Sequence, residues 1–473
     1  MRKSGMTKRR TLAGAAALWL AIFAAPPARG DEPTPEPPAE PAPAPAPAPH
    51  AAHPHTPRKG TEAGQMPHVH PASPQKSKMF HFHHEDMPTG MFGPYPLMRE
   101  SSGTSWQPES SLHEGLHFAR GTWTTMVHGW ANAVWDHQGG PRGDEKIFGA
   151  NMVMGRTHGK FGPGTLGFSA MLSAEPWTIG KQGYPLLLQT GESADGVKPL
   201  IDRQHPHDLW MELATSYFIS PDPTGSLFVY AGLPGEPALG PPVFMHRMSG
   251  EAFPEAPIGH HWLDATHISY GVLTGGVVDG SWKFEGSLFR GREPDQNRTD
   301  IEQPRLDSHS FRLSLNPTPA LALQTSYGRL HRPEALEPDV DVDRTTVSAV
   351  MNASRNGRLV QTTIAWGRNH ESTGSNLEAF LLESTARVGR STWMTRVEQV
   401  EKDNLLPPGD PRAGKIYDVD KLSAGYAFDV WPRHPVSFAV GGFASISRTP
   451  DELDPVYGKN PVSGMVFVRA VLR

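Results

Sequence analysis

Histidine and methionine are the residues of this chain best suited to chemistry, since it contains 23 His, 17 Met and no Cys. Without cysteine the sequence excludes a disulfide scaffold, a thiolate metal site and a thiol nucleophile. Imidazole binds Cu(II), Ni(II) and Zn(II), whereas the thioether of methionine binds Cu(I). The composition therefore indicates copper or zinc as the cofactor of any metal site.

The more specific candidate ligands lie in two long segments between predicted strands. One segment follows Glu175 and contains Asp202-Arg203-Gln204-His205-Pro206-His207-Asp208, and the other begins at Leu233. His205 and His207 flank a proline, so both rings could project to the same side of an extended chain. Three or four such ligands suffice for a divalent metal, with Asp208 or Asp264 as ligand or as orienting partner. The full set of candidates is His205, His207, Asp208, His246, His260, His261 and His267.

These segments also have a structural interpretation. They contain Leu, Phe, Trp and Pro-fixed turns, which predicts that they fold inward instead of extending into solvent. Their His, Asp and Arg side chains would then satisfy the backbone of buried loops. Arg203 and Arg247 favour this alternative, because cations near a metal weaken its binding. No spacing in these segments matches an established metal motif, so both interpretations stay open.

A hydrolase site is the third hypothesis, based on Asp307-Ser308-His309-Ser310. Adjacent residues of a strand face opposite sides, so neither serine shares a face with His309. Asp307 does share that face, but an Asp–His pair without a nucleophile in register is typical of structural positions. We therefore predict that the chain is not an enzyme.

The elements that position these residues are predicted to be β-strands. Beyond Gly115 the sequence alternates with a period of two: Trp123, Val127 and Trp135 share one face, and Met126 and His128 share the other. The inward faces carry both signs of charge, at Lys283, Glu285, Arg312, Arg396 and Glu398. Sixteen strands are predicted, near 117–136, 146–158, 164–175, 208–220, 226–233, 266–278, 281–291, 306–316, 319–330, 343–354, 358–369, 376–388, 391–401, 416–431, 436–447 and 463–472.

The connections between these strands alternate in length. Short turns are predicted at 158–163, 221–225, 279–280, 317–318, 356–357, 389–390 and 432–435, and every other connection is longer. Outer-membrane barrels have an even strand number, short periplasmic turns and longer external loops. Over residues 115–473 the chain resembles the large outer-membrane barrels of Gram-negative bacteria, the porins and their relatives. The resemblance implies an all-β, transmembrane antiparallel barrel of about 16 strands with inward-folded loops and both termini in the periplasm. Its partners would be outer-membrane lipid and the outer-membrane assembly machinery.

Three segments are predicted to precede the barrel. Residues 1–30 have the basic start and the apolar run, Leu12 to Ala25, of a signal peptide. Residues 31–95 form a Pro/Ala-rich and then His- and Met-bearing arm that is predicted to be disordered, and 96–114 form a linker. The arm's candidate metal ligands are His81, His83, His84 and Met87. In this respect the arm is similar to the Met- and His-rich leaders of copper-resistance outer-membrane proteins, although it could equally serve as a spacer.

Composition narrows the function further. A formal charge of -5, from 44 basic and 49 acidic residues, argues against a nucleic-acid partner. The sequence therefore predicts an outer-membrane pore or channel-like barrel that handles copper or another transition metal, with a periplasmic metal-handling protein as a further partner. The alternative is a non-conducting barrel that sequesters metal or has a structural function.

Overall fold

The computed structural model describes residues 89–112 and 114–472. The predicted signal peptide and the arm ligands His81, His83, His84 and Met87 lie outside the described residues. Among the residues described, no helix is long and apolar enough to cross a membrane.

The described residues form nineteen strands, three short helices and four 3-10 turns. The strands are β1 (Leu116–Arg120), β2 (Trp123–His137), β3 (Glu145–Phe161), β4 (Gly164–Leu172), β5 (Tyr184–Ser193), β6 (Pro199–Gln204), β7 (Trp210–Ile219), β8 (Gly225–Gly232), β9 (Val272–Asp279), β10 (Trp282–Phe289), β11 (Ser308–Thr318), β12 (Leu321–Leu330), β13 (Val342–Arg355), β14 (Arg358–Glu371), β15 (Asn376–Val388), β16 (Ser391–Lys402), β17 (Tyr417–Trp431), β18 (Val436–Arg448) and β19 (Val462–Leu472). The helices are α1 (Glu175–Thr178), α2 (His260–Leu263) and α3 (Asp454–Tyr457), and the 3-10 turns are Leu97–Arg99, Phe244–His246, Ala265–His267 and Asp451–Leu453.

Sixteen antiparallel strands close into a barrel, which confirms the predicted fold class. β2 to β4 and β7 to β19 pair in chain order, and β19 pairs back onto β2, with Leu472 opposite Gly129. β1 forms a hairpin with β2 and lies along the edge of β2 beyond the end of β19. The first predicted strand, 117–136, is therefore two strands. Gly121 permits the tight turn between them because it adopts a φ of 61°.

The predicted alternation of connections is present as well. At one end of the barrel, all seven connections between neighbouring barrel strands contain two to five residues, at 162–163, 220–224, 280–281, 319–320, 356–357, 389–390 and 432–435. We call the end of the barrel that carries them the short-turn end, and the opposite end the long-loop end. At the long-loop end, the connections between neighbouring barrel strands are longer than five residues except 372–375 between β14 and β15.

The barrel strands separate an exposed, apolar outward face from a buried inward face that carries most of their charged side chains. Phe311 is 48% exposed whereas its neighbour Arg312 is 1% exposed, and the same alternation recurs around the barrel. The five charged residues predicted to face inward are all buried. Four of them form ion pairs: Arg312 Nε lies 2.9 Å and Lys283 Nζ 3.0 Å from Glu285 Oε1, and Arg396 Nε lies 3.2 Å from Glu383 Oε2.

The lumen is filled by the two long segments, as predicted. The hairpin β5–β6 buries Leu186 and Leu188 completely. In the segment 233–271, the ring of Phe253 lies 5.3 Å from that of Phe443, which points inward from β18. Arg247 Nε donates to Glu383 Oε1 on β15 at 2.6 Å. In the hairpin, Thr190 Oγ1 accepts from Lys402 Nζ on β16 at 3.2 Å. These contacts fix both segments to the barrel wall.

A third segment inside the lumen, residues 89–112, was not predicted. The sequence placed 89–95 in the disordered arm and 96–114 in a linker, whereas Met91, Phe92 and Trp106 are almost fully buried. The segment lies at the short-turn end, because Arg99 Nη1 donates to Gly280 O at 2.6 Å and Ser110 N donates to Pro319 O at 2.8 Å. The segment is held inside the lumen by its buried aromatic side chains. These residues follow neither a strand nor a helix period, so the sequence pattern does not predict their burial.

Candidate metal centre

Five histidines meet where the two long segments contact each other near the long-loop end. The rings of His207 and His267 lie 5.3 Å apart, those of His260 and His267 5.3 Å, those of His260 and His261 5.5 Å, and those of His205 and His261 5.8 Å. All five residues are buried. We call them the histidine cluster. They are five of the seven loop candidates named from the sequence.

Short local structures place these rings. His205 and His207 flank Pro206 in the link between β6 and β7. His260 and His261 begin α2, where His260 N donates to Pro257 O and Asp264 N donates to His260 O. Successive residues of a helix diverge by about 100°, so His260 faces His267 while His261 faces His205. The helix α2 thus connects the two parts of the cluster: His260 contacts the pair His207 and His267, and His261 contacts His205.

Every Nδ1 atom of the cluster lies near an oxygen atom. The pairs are His205 with Pro206 O at 3.2 Å, His207 with Glu175 Oε2 at 2.7 Å, His260 with Asp264 Oδ1 at 2.6 Å, His261 with Glu293 Oε1 at 3.3 Å and His267 with Asp264 O at 3.0 Å. Carbonyl and carboxylate oxygens accept hydrogen bonds, so the proton of each neutral ring belongs on Nδ1. Each Nε2 then presents a lone pair, which is the arrangement of metal-binding histidines.

The Nε2 atoms of His207, His260, His261 and His267 are buried, and within the described chain they have no hydrogen-bond partner. His205 differs, because its Nε2 lies 3.2 Å from Glu192 Oε1. An unsatisfied buried acceptor costs about 1–3 kcal/mol. A metal ion would remove this cost for several rings at once.

The pKa values of most of these rings favour the neutral form that binds metal. Burial lowers the pKa of His260 despite the opposing carboxylate of Asp264, and it lowers the pKa of His261 to about 4. Burial and the neighbouring imidazoles lower the pKa of His267 well below its usual value. For His207 burial acts in the same direction, but Glu175 outweighs it and raises the pKa. His207 is therefore the ring that protonates first as the pH falls.

Ring spacing agrees with a shared ion at an inner triad of His207, His260 and His267. With a Zn–N distance of about 2.1 Å, two imidazoles at a tetrahedral ion have ring centroids about 5 Å apart. The two spacings of 5.3 Å on either side of His267 match this separation. The three Nε2 atoms would still have to move closer together around an ion, because the tightest ligand group in the described residues lies elsewhere.

That tightest group consists of His261, Glu293 and Glu334, whose ligand atoms lie within 4.8 Å of one another. His261 and Glu334 also line a cavity of about 520 Å³ that contains further carboxylates, among them Glu337 and Glu371. Burial and neighbouring carboxylates raise the pKa of Glu334 and of Glu337 to about 7. Crowded carboxylates of this kind attract cations, so the cavity is suited to bring a cation to His261, whose ring lies beside that of His260.

Two of the predicted ligands lie outside the cluster. Asp208 accepts from Tyr270 Oη at 2.7 Å and from Arg298 Nη1 at 3.2 Å, so both of its carboxylate oxygens already have partners other than the imidazoles. His246 lies against Met171 instead. The prediction had no means of separating them, because both residues occur in the same loops as the cluster.

The arginines expected to oppose a metal are already neutralised. Arg247 is buried between Asp264 and Glu383, and Arg203 pairs with Asp144. Glu175, which orients His207, was not singled out from the sequence. Its position 32 residues before His207 gives no local signal.

The third hypothesis, a hydrolase, gains no support from the strand β11. Ser308 and Ser310 are buried toward the lumen, whereas the ring of His309 lies 6.2 Å from that of the outward Phe311. Asp307 accepts from Gly291 N at 2.9 Å, which is a structural contact. The serines and the histidine face opposite sides, as the sequence predicted.

Comparison with known proteins gives similarity in structure alone. No family model and no curated protein matches the chain. Solved structures similar to it include the anion-selective porin from Comamonas acidovorans (10% identity, TM-score 0.45, covering 74% of this chain and 100% of that one). Others are Salmonella typhi OmpF in complex with daunomycin (12%, 0.47, 76% and 100%) and Pseudomonas aeruginosa OpdQ (9%, 0.37, 74% and 98%). At these values the likeness says nothing about what the barrel binds or transports.

Proposed function

We propose that this chain is an outer-membrane barrel that binds a transition-metal ion inside its lumen, at the histidine cluster. The observation that carries the proposal is the group of four buried Nε2 atoms without hydrogen-bond partners in the described residues, on rings whose Nδ1 atoms are all held by oxygens. A hydrogen-bonded plug would satisfy both nitrogens of each ring. Zn(II) and Cu(II) are the ions that such a nitrogen-rich site favours.

The membrane location rests on the outer surface of the barrel. Large apolar side chains are exposed on most strands, for example Ile147, Phe284, Ile364 and Val466. Monomeric soluble proteins rarely expose contiguous apolar patches larger than a few hundred Å². A lipid bilayer would cover this surface, and the closed ring of strands leaves no backbone edge to be satisfied within it.

A tag experiment tests both the location and the orientation. If the short turns face the periplasm, a tag inserted between Asn356 and Gly357 should be protected on intact cells. A tag in the loop 404–412, at the long-loop end, should be labelled by an antibody that cannot enter the cell. Labelling of the first tag without permeabilisation would reverse the orientation, and labelling of neither would contradict surface exposure of the long loops.

A second candidate function, an open diffusion pore, is weakened by the filled lumen. The purified barrel in a planar bilayer should show no steady open conductance at neutral pH, because residues 89–112 and the two long segments occupy its interior. Deletion of the β5–β6 hairpin, 184–204, should produce conductance steps by removing one part of this filling. Steady conductance of the unmodified barrel would instead support the pore.

The ion would enter from the long-loop end through the 520 Å³ cavity. In this proposal the His- and Met-bearing residues of the arm act on the same metal, and a periplasmic metal-handling protein receives or supplies it. Deleting residues 31–88 should therefore lower the total number of ions bound without removing the site in the barrel.

A further inference from the structure

We propose a second metal site in the lumen, distinct from the histidine cluster, that binds a soft monovalent ion, Cu(I), through two thioethers and two imidazoles. It consists of His128, Met154, Met171 and His246, which we call the methionine–histidine site. The site does not depend on the proposed function, because its residues and its preferred ion both differ from those of the histidine cluster.

Three of the four residues form a row across neighbouring strands. His128 on β2 is directly opposite Met154 on β3, and Met154 is directly opposite Met171 on β4. Met154 and Met171 are almost fully buried and face the lumen. Cross-strand neighbours on one face have Cβ atoms about 5 Å apart, which is close enough for long side chains to share a ligand.

The fourth residue, His246, belongs to the segment 233–271, which packs against this row from the lumen. His246 ends the 3-10 turn Phe244–His246, and its Nε2 lies 3.3 Å from Met171 Sδ. On the wall, His128 Nε2 lies 3.3 Å from Met154 Sδ. The two imidazole rings are 5.5 Å apart in an edge-to-face arrangement. Two nitrogen–sulfur pairs therefore face each other.

These separations suit ligands of a single ion. With metal–nitrogen and metal–sulfur bonds of about 2.1 and 2.3 Å, ligand atoms at a tetrahedral ion lie about 3.5 Å apart. The observed contacts of 3.3 Å are close to this value. Each contact alone is compatible with a weak hydrogen bond to sulfur, but two such contacts on neighbouring rings would supply four ligands to a shared ion.

The chemistry of the ligands selects the ion. Thioethers are soft donors that bind Cu(I), whereas Zn(II) prefers thiolate, imidazole or carboxylate. Thioethers and the metal-binding form of imidazole carry no charge, so this ligand set suits a single positive charge, whose desolvation costs less than that of a divalent ion. Further thioethers of Met126, Met152 and Met245 line the adjoining cavity of about 70 Å³. The charge of Arg156 beside this cavity is balanced by Glu100, 3.8 Å away.

Ag(I) tests the site as a redox-inert ion of the same charge and softness. In the full-length barrel, Met154→Leu with Met171→Leu should reduce the Ag(I) bound at saturation by one equivalent. The same double variant should lose most of the rise in melting temperature that Ag(I) gives the parent, since only ions bound to the folded barrel stabilise it. Leucine keeps the volume and apolar character of methionine, so the fold should be retained.

The matched control is Met211→Leu. Met211 belongs to the same apolar cluster but to neither of the two sulfur–imidazole contacts, so its Ag(I) stoichiometry should equal that of the parent. Zn(II) affinity should be unchanged in every methionine variant, because the histidine cluster is intact. Unchanged Ag(I) binding and stabilisation in the double variant would overturn the second site.

A folding defect is distinguished by a second variant. His246→Gln removes an imidazole from the loop without altering the wall, and it should weaken Ag(I) binding at this site at least about tenfold. Retention of full Ag(I) affinity in this variant would also contradict the proposal. If the parent bound no Zn(II), this result would contradict only the proposed metal site at the histidine cluster.

Discussion

His207→Ala combined with His260→Ala should abolish saturable Zn(II) or Cu(II) binding to the barrel at pH 7.5. The two rings flank His267 at equal distances, so the double variant leaves the inner triad with one ligand. Isothermal titration of a chain lacking residues 31–88 measures this directly, because the arm cannot then contribute ligands. The parent should bind one ion with micromolar or tighter affinity, which corresponds to at least about 8 kcal/mol.

His331→Ala is the matched control for this experiment. His331 pairs with Asp341 in the loop between β12 and β13, where its side chain is 43% exposed and separate from the cluster. Its removal should leave metal affinity unchanged. If the parent itself binds no ion and the double variant merely melts at a lower temperature, the histidines have a structural function and the proposed function fails.

Arg247→Ala should lower the free energy of unfolding by about 3–5 kcal/mol, because breaking a buried ion pair leaves charges without compensation. Arg247 is fully buried, and it joins Asp264 in the long loop segment to Glu383 on the barrel wall. Without the guanidinium, the two buried carboxylates lose their shared cation, and Arg396 remains beside Glu383 and His260 beside Asp264. Denaturant unfolding of the purified barrel in detergent would give the value.

Arg203→Ala provides the comparison. Arg203 pairs with Asp144 near the surface, where their side chains are 30% and 50% exposed. Exposed pairs contribute about 0–1 kcal/mol, so this variant should unfold almost like the parent. Equal unfolding free energies for the two arginine variants would show that the loop segment does not depend on Arg247 for its position.

The barrel could be predicted from the sequence because its physics is local and repeated. Each strand alternates between apolar outward and buried inward side chains, as with Phe311 and Arg312, and short turns such as Asn356-Gly357 separate the strands. The inward folding of the long segments was predictable from their apolar content. The hairpin β5–β6 within one of them was not, since its irregular register breaks the alternation.

The two candidate sites show where sequence inspection reaches its limit. It named the five clustered histidines, but it could not exclude Asp208, whose carboxylate is bound by Tyr270 and Arg298 from distant parts of the chain. It placed Met126 and His128 on one strand face without identifying the register that sets His128 opposite Met154. Which residues face each other across two strands depends on the register of their pairing, and the sequence of one strand alone does not determine that register.

The interior position of residues 89–112 has a consequence for the order of assembly. Its backbone and side chains bond to opposite parts of the wall: Arg156 Nη2 on β3 donates to Gly103 O, Arg312 Nη2 on β11 donates to Thr104 Oγ1, and Gln361 Nε2 on β14 donates to Ser111 Oγ. The segment precedes β2, and the seam that closes the ring joins β2 to the last strand, β19. If β2 and β19 paired first, the whole segment 89–112 would have to be threaded into a closed and largely filled barrel. We therefore expect residues 89–112 to take up their position early in assembly. The later strands would then form around this segment before β19 pairs with β2.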